Sequence, residues 1–293
     1  MNNLKTLLNQ GKLITAPGIY DMISALVADK MGFQALYVTG YGTVASYLGL
    51  PDAGIATYTD MLHRVSRFAE MTVTPIIADA DTGYGGLLNV AHTVKGYEKA
   101  GIAAIQIEDQ EFPKKCGHTP GRKVIPINDM VRKIKVACDA RTSEDFLIVA
   151  RTDARTTLGI DEALRRGEAY EKAGADIIFI ESPESEDEMK KICSSFDKPT
   201  LANLVHGGRT PILSSSKLQE IGYSIAIHPV AGFLTATAAI EKTYMGLKES
   251  GQVPSLVDIY PFTRFNDLIG FPEVWEFDKR YSEYHLIRLL INI

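Results

Sequence analysis

Tyr97 to Asp109 reads YEKAGIAAIQIED, and Tyr170 to Ser182 reads YEKAGADIIFIES. Each copy begins as the polar end of a helix and passes through a glycine that can adopt the left-handed backbone conformation. It then continues into a short apolar run that ends in a carboxylate. A run that is apolar on both faces is typical of a strand buried in a parallel sheet. Because a looser copy occupies residues 29–39, the repeat predicts alternating helices and parallel strands.

Eight such strands can be placed along the chain, and helical patterns separate most of them. The predicted strands are Ile14–Pro17, Ala35–Thr39, Pro75–Asp79, Ala103–Glu108, Phe146–Arg151, Asp176–Glu181, Pro199–Asn203 and Ser224–His228. The predicted helices are Ala25–Lys30, Tyr58–Ala69, Val90–Lys99, Asp129–Ala140, Asp161–Lys172, Ser185–Ser195 and Ser215–Ile221. This spacing predicts an α/β fold of the (β/α)8 (TIM) barrel type. A doubly wound open sheet is the alternative, and it is weakened because no GxGxxG follows an early strand.

The residues after the eighth strand exceed what a barrel needs. Thr235–Lys248 and Pro272–Ile291 both show helical patterns. Barrels of about 250 residues form single domains. We therefore expect residues 1–293 to form one barrel domain, with residues 231–293 as a C-terminal helical extension that packs on the barrel or contacts another subunit.

The composition is that of an ordinary globular protein. Apolar residues make up 45% and charged residues 23% of the 293 positions, which excludes a disordered chain, a coiled coil and a disulfide-rich miniprotein. The net charge of −5, with both signs interspersed, does not indicate nucleic-acid binding. Neither a signal-peptide core nor a membrane span is apparent, and the three cysteines fit no disulfide framework. We therefore expect a cytoplasmic protein with no nucleic-acid or membrane partner.

Acidic side chains collect at the ends of the third and fourth predicted strands. Asp79 and Asp81 follow strand 3, and Glu108 ends strand 4. Because functional residues of barrels lie at the carboxyl ends of the strands, these carboxylates would converge. Converging carboxylates need protons or a cation, and oxygen-only ligands suit Mg²⁺ or Mn²⁺. The pattern predicts Asp79 and Asp81 as metal ligands, with Glu108 or Asp52 holding bound waters. The alternative is salt bridging with a barrel arginine such as Arg151.

The segment after strand 4, residues 111–123, carries one cysteine among four lysines and arginines and a histidine. Cationic neighbours lower the pKa of a thiol from about 8.5 toward neutrality. Such a thiol can protonate a carbanion or act as a nucleophile, and the flanking glycines would let the loop open and close. Cys116, with His118 beside it, is therefore the predicted catalytic thiol, whereas Cys138 and Cys193 lie in predicted helices and are expected to pack. The alternative is a solvated basic loop with an incidental cysteine.

Five motifs together resemble the isocitrate lyase and phosphoenolpyruvate mutase superfamily. They are Leu50-Pro51-Asp52, Asp79-Ala80-Asp81-Thr82-Gly83-Tyr84-Gly85, Ile107-Glu108-Asp109-Gln110, Lys114-Lys115-Cys116-Gly117-His118 and Ala150-Arg151-Thr152-Asp153-Ala154. The resemblance extends from Ala16 to Arg264, and the cysteine loop points to the carbon–carbon lyase branch. It implies a barrel whose eighth helix is swapped between paired subunits of a homotetramer.

The resemblance also implies roles for individual residues. Mg²⁺ or Mn²⁺ would bind near Asp79 and Asp81, with Asp52 and Glu108 in the outer shell. The implied catalytic residues are Cys116 as the general acid, His118, Arg151 and Glu181. The implied substrate-binding residues are Tyr37, Thr39, Gly40, Tyr41, Gly117, Asn203 and Arg264. Among these, Thr39 to Tyr41 would face the 2-oxo-acid half of the substrate, Asn203 and Glu181 would line the other half, and Tyr37 is a candidate for removing the hydroxyl proton.

The implied reaction cleaves a 2-hydroxy dicarboxylate into a 2-oxo acid such as pyruvate and an enediolate that Cys116 protonates. Methylisocitrate lyases tend to carry an arginine after strand 8, where this sequence has Leu234. Without that charge partner a third carboxylate would be left unpaired. We therefore expect a smaller substrate such as 2,3-dimethylmalate, cleaved to pyruvate and propionate.

Other functions remain open from the sequence. The first alternative is a methylisocitrate lyase, which releases pyruvate and succinate, or an oxaloacetate decarboxylase. The second is a catalytically silent barrel that binds a metabolite, against which the intact acidic and cysteine-loop motifs weigh. The third is a thiol redox sensor at Cys116, which lacks an obvious resolving cysteine and would not need the carboxylates.

Overall fold

The structure is a computed structural model that describes residues 3–117 and 121–291, with side chains described up to residue 282. The chain forms two compact units, Met1–Ala236 and Thr237–Ile293. The first unit contains all the strands, and the second contains helices. The predicted helical extension, residues 231–293, coincides with the second unit over most of its length.

Eight parallel strands form the centre of the first unit. They are β1 (Ile14–Ile19), β2 (Leu36–Val38), β3 (Ile76–Asp79), β4 (Ala104–Glu108), β5 (Leu147–Thr152), β6 (Ile177–Ile180), β7 (Leu201–Asn203) and β8 (Ile225–His228). Neighbouring strands pair in the order β6-β5-β4-β3-β2-β1-β8-β7. An isolated parallel bridge between Ile178 and Thr200 brings the two edges of the sheet together. The predicted (β/α)8 barrel is confirmed.

Helices connect the strands and continue after the last one. They are α1 (Leu4–Leu8), α2 (Met22–Lys30), α3 (Gly40–Leu48), α4 (Tyr58–Met71), α5 (Leu87–Lys99), α6 (Ile127–Ala140), α7 (Arg155–Leu158), α8 (Ile160–Lys172), α9 (Glu186–Ser194), α10 (Ser215–Ile221), α11 (Ala231–Ser250), α12 (Phe262–Leu268) and α13 (Phe271–Ile291). All the helices predicted from the sequence are present, with small shifts at their ends. The sequence patterns miss α1, α3, α7 and α12.

Helix α3 is the omission that matters for the site. The sequence predicts only a polar strand end there, because two glycines and two β-branched residues in the first two turns give low helix propensity. The side chain of Thr39 caps the helix by accepting a hydrogen bond from the backbone N–H of Gly42 at 3.4 Å. Burial of Thr43 and Val44 adds packing. The N-terminus of α3 therefore lies at the carboxyl end of β2.

Apolar side chains fill the barrel in two shells. Inside the barrel, Leu4 and Leu7 of α1 pack in one cluster with Ile14 and Ile225, at the starts of β1 and β8. Burying a leucine in this way stabilises the fold by roughly 1.5–3 kcal/mol. The outer faces of the strands pack against the surrounding helices. Because α1 closes the N-terminal end of the barrel, the cavity described below opens at the carboxyl ends of the strands.

The second unit exposes an unusual amount of apolar surface. Its exposed large side chains are Ile240, Tyr244, Met245, Leu247, Leu256, Ile259, Tyr260, Phe262, Ile269, Phe271, Val274, Trp275, Phe277 and Tyr281. None of the described helices combines the length and apolar character needed to cross a bilayer.

Candidate active site

A cavity of about 190 Å³ opens at the carboxyl ends of the strands. Its volume suits a small acid, because pockets for drug-sized ligands occupy about 300–1,000 Å³. The lining residues are Tyr37, Thr39, Tyr41, Asp52, Asp79, Glu108, Lys114, Lys115, Cys116, Gly117, Arg151, Asn203, Val205, Pro229, Val230 and Leu234. Most of the residues expected from the sequence are therefore brought together. Gly40, Asp81 and Glu181 contact lining residues from behind.

Asp79 is held in place at the end of β3. Its Oδ1 accepts hydrogen bonds from the backbone N–H of Asp81 at 3.1 Å and from Nε2 of Gln106 at 3.2 Å. Its Oδ2 faces Gly40, where an added Cβ would lie only 2.6 Å away. Burial raises the pKa of Asp79, although Lys114 and Arg151 oppose the effect. Glycine at position 40 thus lets the start of α3 approach this carboxylate closely.

Lys114 is a buried cation between two of the predicted metal-site carboxylates. Its Nζ lies 2.5 Å from Oδ1 of Asp52 and 2.7 Å from Oδ1 of Asp81. Burial alone would lower the pKa of Lys114, but the surrounding carboxylates outweigh it and raise the pKa well above its ordinary value. Burial raises the pKa of Asp81 to about 7, even with the ammonium group beside it. Negative charge is therefore in excess here.

Glu108 has one paired and one unpaired oxygen. Its Oε2 lies 3.4 Å from Nε of Arg151, so the alternative salt bridge with Arg151 is present at this carboxylate. Its Oε1 is buried and has no hydrogen-bond partner among the residues that the structure describes. Burial raises the pKa of Glu108 well above its ordinary value, and Arg151 offsets this only in part. A buried oxygen without a partner is costly, so this point calls for a donor or a cation.

The donor set fits a divalent cation. No three described His, Cys, Asp or Glu side chains form a ready-made metal cage. Mg²⁺ does not require one, because it keeps several waters and takes only one or two protein carboxylates. The unpaired Oε1 of Glu108 and the raised pKa values of Asp79, Asp81 and Glu108 indicate excess negative charge that such a cation would neutralise.

Arg151 is fixed by carboxylates on its polar edges. Its Nε and NH2 donate to the two oxygens of Asp153, each at 3.0 Å, and NH2 lies 3.2 Å from Oε2 of Glu181. Burial would raise the pKa of Asp153, but Arg151 and Arg122 outweigh it and lower the pKa overall. The guanidinium group therefore stays charged in one orientation, which suits a substrate carboxylate.

The loop that carries Cys116 packs against these groups. Cys116 is partly buried and lines the cavity. A Cβ at Gly117 would clash with NH2 of Arg151 and would lie 2.9 Å from Oε2 of Glu181. The backbone at Gly117 therefore lies as close to these two side chains as a glycine allows. The carbonyl oxygen of Gly117 accepts a hydrogen bond from Oγ of Ser182 at 3.2 Å. His118 lies outside the described residues, and its expected role stays a prediction.

The cationic surroundings expected around the thiol are partly neutralised. Lys114 pairs with two carboxylates, and Arg122 pairs with Asp153. The local sequence does not reveal these ion pairs, because the carboxylate partners lie far away along the chain. Lys115 also lines the cavity, and its side chain is exposed.

Thr39, Gly40 and Tyr41 lie where β2 passes into α3. The first N–H groups of a helix have no partner within it and carry partial positive charge, so this end suits a carboxylate. Tyr37 lies deeper, and its hydroxyl donates to Oε1 of Gln106 at 3.0 Å. Burial raises the pKa of Tyr37 well above its ordinary value. The phenol therefore keeps its proton, which disfavours Tyr37 as the base that removes the hydroxyl proton.

The remaining expected residues fall in different places. Nδ2 of Asn203 donates to Oε2 of Glu181 at 3.0 Å, beside the cavity. Val205, Pro229, Val230 and Leu234 give the cavity an apolar wall, and Leu234 is 44% exposed. Arg264 belongs to the second unit, where its guanidinium carbon lies 5.3 Å from the centre of the Tyr260 ring. Its proposed contact with substrate stays a prediction.

The family model described as phosphoenolpyruvate phosphomutase matches residues 4–248. A 2,3-dimethylmalate lyase from Eubacterium barkeri is 50% identical over 280 residues, which cover 95% of this chain and 97% of the relative. A 2-methylisocitrate lyase from Aeropyrum pernix is 41% identical over 281 residues, which cover 96% of this chain and 89% of the relative. The chain belongs to the phosphoenolpyruvate mutase/isocitrate lyase superfamily.

Solved structures of this superfamily share the fold. An oxaloacetate acetylhydrolase in complex with 3,3-difluorooxalacetate has a TM-score of 0.91 and 36% identity, and the match covers 96% of both chains. A 2,3-dimethylmalate lyase has a TM-score of 0.88 and 37% identity over 94% of this chain and 93% of that one. A phosphonopyruvate hydrolase in complex with oxalate and Mg²⁺ has a TM-score of 0.85 and 29% identity, and the match covers 95% of this chain and 98% of that one. The membership expected from the motifs is confirmed.

Several groups that shape this superfamily site were not assigned from the sequence. Gln106, Lys114, Asp153 and Ser182 all contact residues that line the cavity. Gln106 and Asp153 are polar residues in or directly after apolar strands, and that signal could have singled them out, because a buried polar group needs a partner. For Lys114 the sequence indicates only a place in a basic loop. The contacts of Ser182 depend on its backbone conformation, for which the sequence gives no signal.

Proposed function

We propose that this superfamily member is a divalent-metal-dependent carbon–carbon lyase that cleaves 2,3-dimethylmalate to pyruvate and propionate. The observation that carries the proposal is the division of the cavity wall. Arg151 and the start of α3 offer groups for carboxylates, whereas Val205, Val230 and Leu234 offer apolar surface for methyl groups. The identity of 50% to the 2,3-dimethylmalate lyase of Eubacterium barkeri supports the same substrate.

The 2-hydroxy-acid half of the substrate binds at the polar part of the wall. The N-terminus of α3 and the fixed guanidinium group of Arg151 hold its carboxylate. A divalent cation on Asp79 and Asp81, with waters held by Asp52 and Glu108, would supply the positive charge that stabilises the deprotonated hydroxyl. The phosphonopyruvate hydrolase with a TM-score of 0.85, which was solved with Mg²⁺, supports this choice of ion.

Cleavage then follows from the electron flow. The alkoxide of the substrate becomes the carbonyl of pyruvate as the bond between C2 and C3 breaks, and the electron pair moves to C3 and its carboxylate. The resulting propionate enediolate lies in the half of the site that Glu181 and Asn203 line. Cys116 delivers its proton to C3 and completes propionate.

The described part of the loop shields the inner end of the cavity from water. Lys114 is only 2% exposed, and the backbone of Gly117 packs against Arg151 and Glu181. A closed loop prevents bulk water from protonating the intermediate and strengthens the electrostatic interactions inside the cavity. Cys116, which lines the cavity, would then supply the proton.

Substrate choice tests the proposal directly. We expect kcat/KM for 2,3-dimethylmalate to exceed that for 2-methylisocitrate by at least about tenfold, equivalent to ~1.4 kcal/mol. The 41% identity to a 2-methylisocitrate lyase makes that activity the second candidate. If kcat/KM is higher for 2-methylisocitrate than for 2,3-dimethylmalate, that activity replaces our assignment. Oxaloacetate belongs on the same panel, and turnover of none of these acids would favour the silent metabolite-binding barrel.

We further propose the homotetramer with a swapped eighth helix. An apolar groove of about 320 Å³ on the first unit is lined by residues of α2 and neighbouring segments, among them Ile23, Val27, Met31 and Phe33. Together with the exposed apolar side chains of the second unit, it is the kind of surface that subunit contacts bury. Light scattering should give a mass near four times the 32.2 kDa chain, and a monomer would contradict the proposal.

The scarcity of cysteine supports a reducing, cytoplasmic location.

A further inference from the structure

Gln106 is a polar residue inside the barrel. It belongs to β4, and its side chain is fully buried. Because side chains of a strand alternate between its two faces, Gln106 shares a face with Ala104 and Glu108. Ala104 belongs to the inner apolar cluster, and Glu108 lines the cavity. A buried amide is unfavourable unless its groups are hydrogen-bonded, so the partners of Gln106 decide what it does.

The amide of Gln106 bridges two residues that line the cavity. Its Nε2 donates to Oδ1 of Asp79 at 3.2 Å, and its Oε1 accepts from the hydroxyl of Tyr37 at 3.0 Å. The three residues belong to β2, β3 and β4, which are neighbours in the sheet. Their side chains therefore form one hydrogen-bonded chain inside the barrel.

The direction of this chain is set at Asp79. Oδ1 of Asp79 also accepts from the backbone N–H of Asp81 at 3.1 Å, so it acts as an acceptor. A reversed amide would bring its carbonyl oxygen against Oδ1, with no proton between the two oxygens. The NH2 group of Gln106 therefore faces Asp79, and its carbonyl oxygen is left for Tyr37. Tyr37 can satisfy that oxygen only by donating its single proton.

The same contacts give the two oxygens of Asp79 different tasks. The N–H donors of Asp81 and Gln106 occupy both lone pairs of Oδ1. Oδ2 faces the start of α3 at Gly40 and is left for a cation. A carboxylate that is already held in this orientation loses little freedom when it binds a metal ion. Partners that orient a metal ligand in this way contribute about 10–100-fold to metal affinity.

We propose that Gln106 is a positioning residue for metal binding, which holds the carboxylate of Asp79 with Oδ2 toward the cation and is itself held by the hydroxyl of Tyr37. The inference rests on the metal site of the proposed function. Tyr37 then influences the cation through Gln106. Without the amide of Gln106, the carboxylate of Asp79 keeps only the backbone donor of Asp81 and can rotate.

The affinity for Mn²⁺ measures this effect without any substrate. The electron paramagnetic resonance signal of free Mn²⁺ gives the Kd, and Asp79→Ala should abolish the tight site, which assigns the signal to this carboxylate. Gln106→Met keeps the length of the side chain but has no N–H, so we expect the Kd to rise by about tenfold. Gln219→Met is the matched control, because it makes the same exchange on the exposed surface of α10 and should leave the Kd unchanged.

Tyr37→Phe tests whether the effect passes along the chain. The variant removes only the hydroxyl that donates to Gln106. We expect the Kd for Mn²⁺ to rise by about threefold, near the low end for one neutral hydrogen bond. In the Gln106→Met background, Tyr37→Phe should cause no further rise, because the connection has already been removed. Effects that multiply in the double variant would overturn the connection through Gln106, and an unchanged Kd in Gln106→Met would overturn the positioning of Asp79.

A shorter amide keeps the inference testable if Gln106→Met does not fold. The amide of Gln106→Asn is one methylene group too short to reach both partners, so the Kd should rise as well, and a Kd equal to that of the parent protein would overturn the positioning. Failure of the proposed function is distinguishable. A parent protein that binds Mn²⁺ but cleaves none of the acids would refute the lyase assignment and leave the Kd comparison intact. A parent protein without an Asp79-dependent Mn²⁺ site would overturn both the metal dependence and this inference.

Discussion

Replacing Leu234 with arginine should shift the enzyme toward tricarboxylic substrates. Leu234 lines the apolar part of the cavity and is 44% exposed, so a longer polar side chain there can reach the substrate without disrupting the core. A hydrogen bond to a charged group contributes about 1.5–3 kcal/mol when it is shielded. Solvent at this position screens the new ion pair, which places the gain at the low end of that range. We therefore expect kcat/KM for 2-methylisocitrate to rise by about tenfold.

The measurement uses the product that both substrates share. Pyruvate formation can be followed through NADH oxidation by lactate dehydrogenase, so one assay reports both kcat/KM values. Leu234→Gln is the matched control, because it adds polar surface of similar size without charge. The ratio of the two kcat/KM values should fall by about tenfold in Leu234→Arg and much less in Leu234→Gln.

Two results would refute this reasoning. If the unmodified protein cleaves 2-methylisocitrate faster than 2,3-dimethylmalate, Leu234 does not determine the choice. If arginine and glutamine change the ratio equally, the effect comes from side-chain size and polarity, and a missing charge partner is not its cause. A hydrophobic pocket rejects an added methyl group only weakly, so the unpaired carboxylate must supply most of the discrimination.

Removal of divalent metal with EDTA should abolish turnover, and Mg²⁺ or Mn²⁺ should restore it. The variant Asp79→Ala should fold but turn over substrate poorly. Full activity in thoroughly metal-stripped protein would contradict this metal dependence. Cys116→Ser should slow cleavage by about 10²-fold or more, the scale of a lost general acid. Cys138→Ser and Cys193→Ser should have far milder effects, and equal losses in all three would make Cys116 an incidental cysteine. The third prediction is a pH dependence of stability that comes from Asp81. Its pKa rises from 3.8 to about 7 on folding. Between these pH values, the folded metal-free protein therefore keeps a proton that the unfolded chain releases. The stability of the metal-free protein should therefore fall as the pH rises from about 4 through 7. In thermal melts with EDTA, the melting temperature of Asp81→Asn should decline less over this pH range than that of the unmodified protein. An identical decline in both proteins would count against the raised pKa of Asp81.

The barrel could be predicted from the sequence because its signal is repeated and local. Each buried strand is a continuous apolar run, and a glycine that ends the preceding helix marks where the run starts, as at Gly101 and Gly174. Helix α3 lacked such a signal. Its formation depends on the cap at Thr39 and on burial against the barrel, which are tertiary effects that override low propensity. Helix α1 was too short for its periodicity to be read, although its leucines close one end of the barrel.

Most of the residues that line the cavity could be predicted from the sequence, because strand ends place side chains on one edge of the barrel. The pairing of charges was not. Lys114 and Asp52 are 62 positions apart, and Arg122 and Asp153 are 31 apart, so no local pattern reveals that each cation is neutralised. The backbone φ of Ser182, +60°, likewise has no local signal in the sequence.

The charge balance of the cavity connects the loop, the metal and the substrate. Six buried carboxylates surround it or contact its lining, namely Asp52, Asp79, Asp81, Glu108, Asp153 and Glu181, against three buried cations, Lys114, Arg122 and Arg151. A dicarboxylate substrate adds two further negative charges, so binding without additional positive charge would be strongly unfavourable. Two of the three cations come from the loop after β4, so closure brings positive charge to the site as well as excluding water. A divalent cation on Asp79 and Asp81 would offset much of the remaining excess, and the same charges would then favour the alkoxide as it forms. Loop closure, metal binding and substrate binding are therefore expected to strengthen one another.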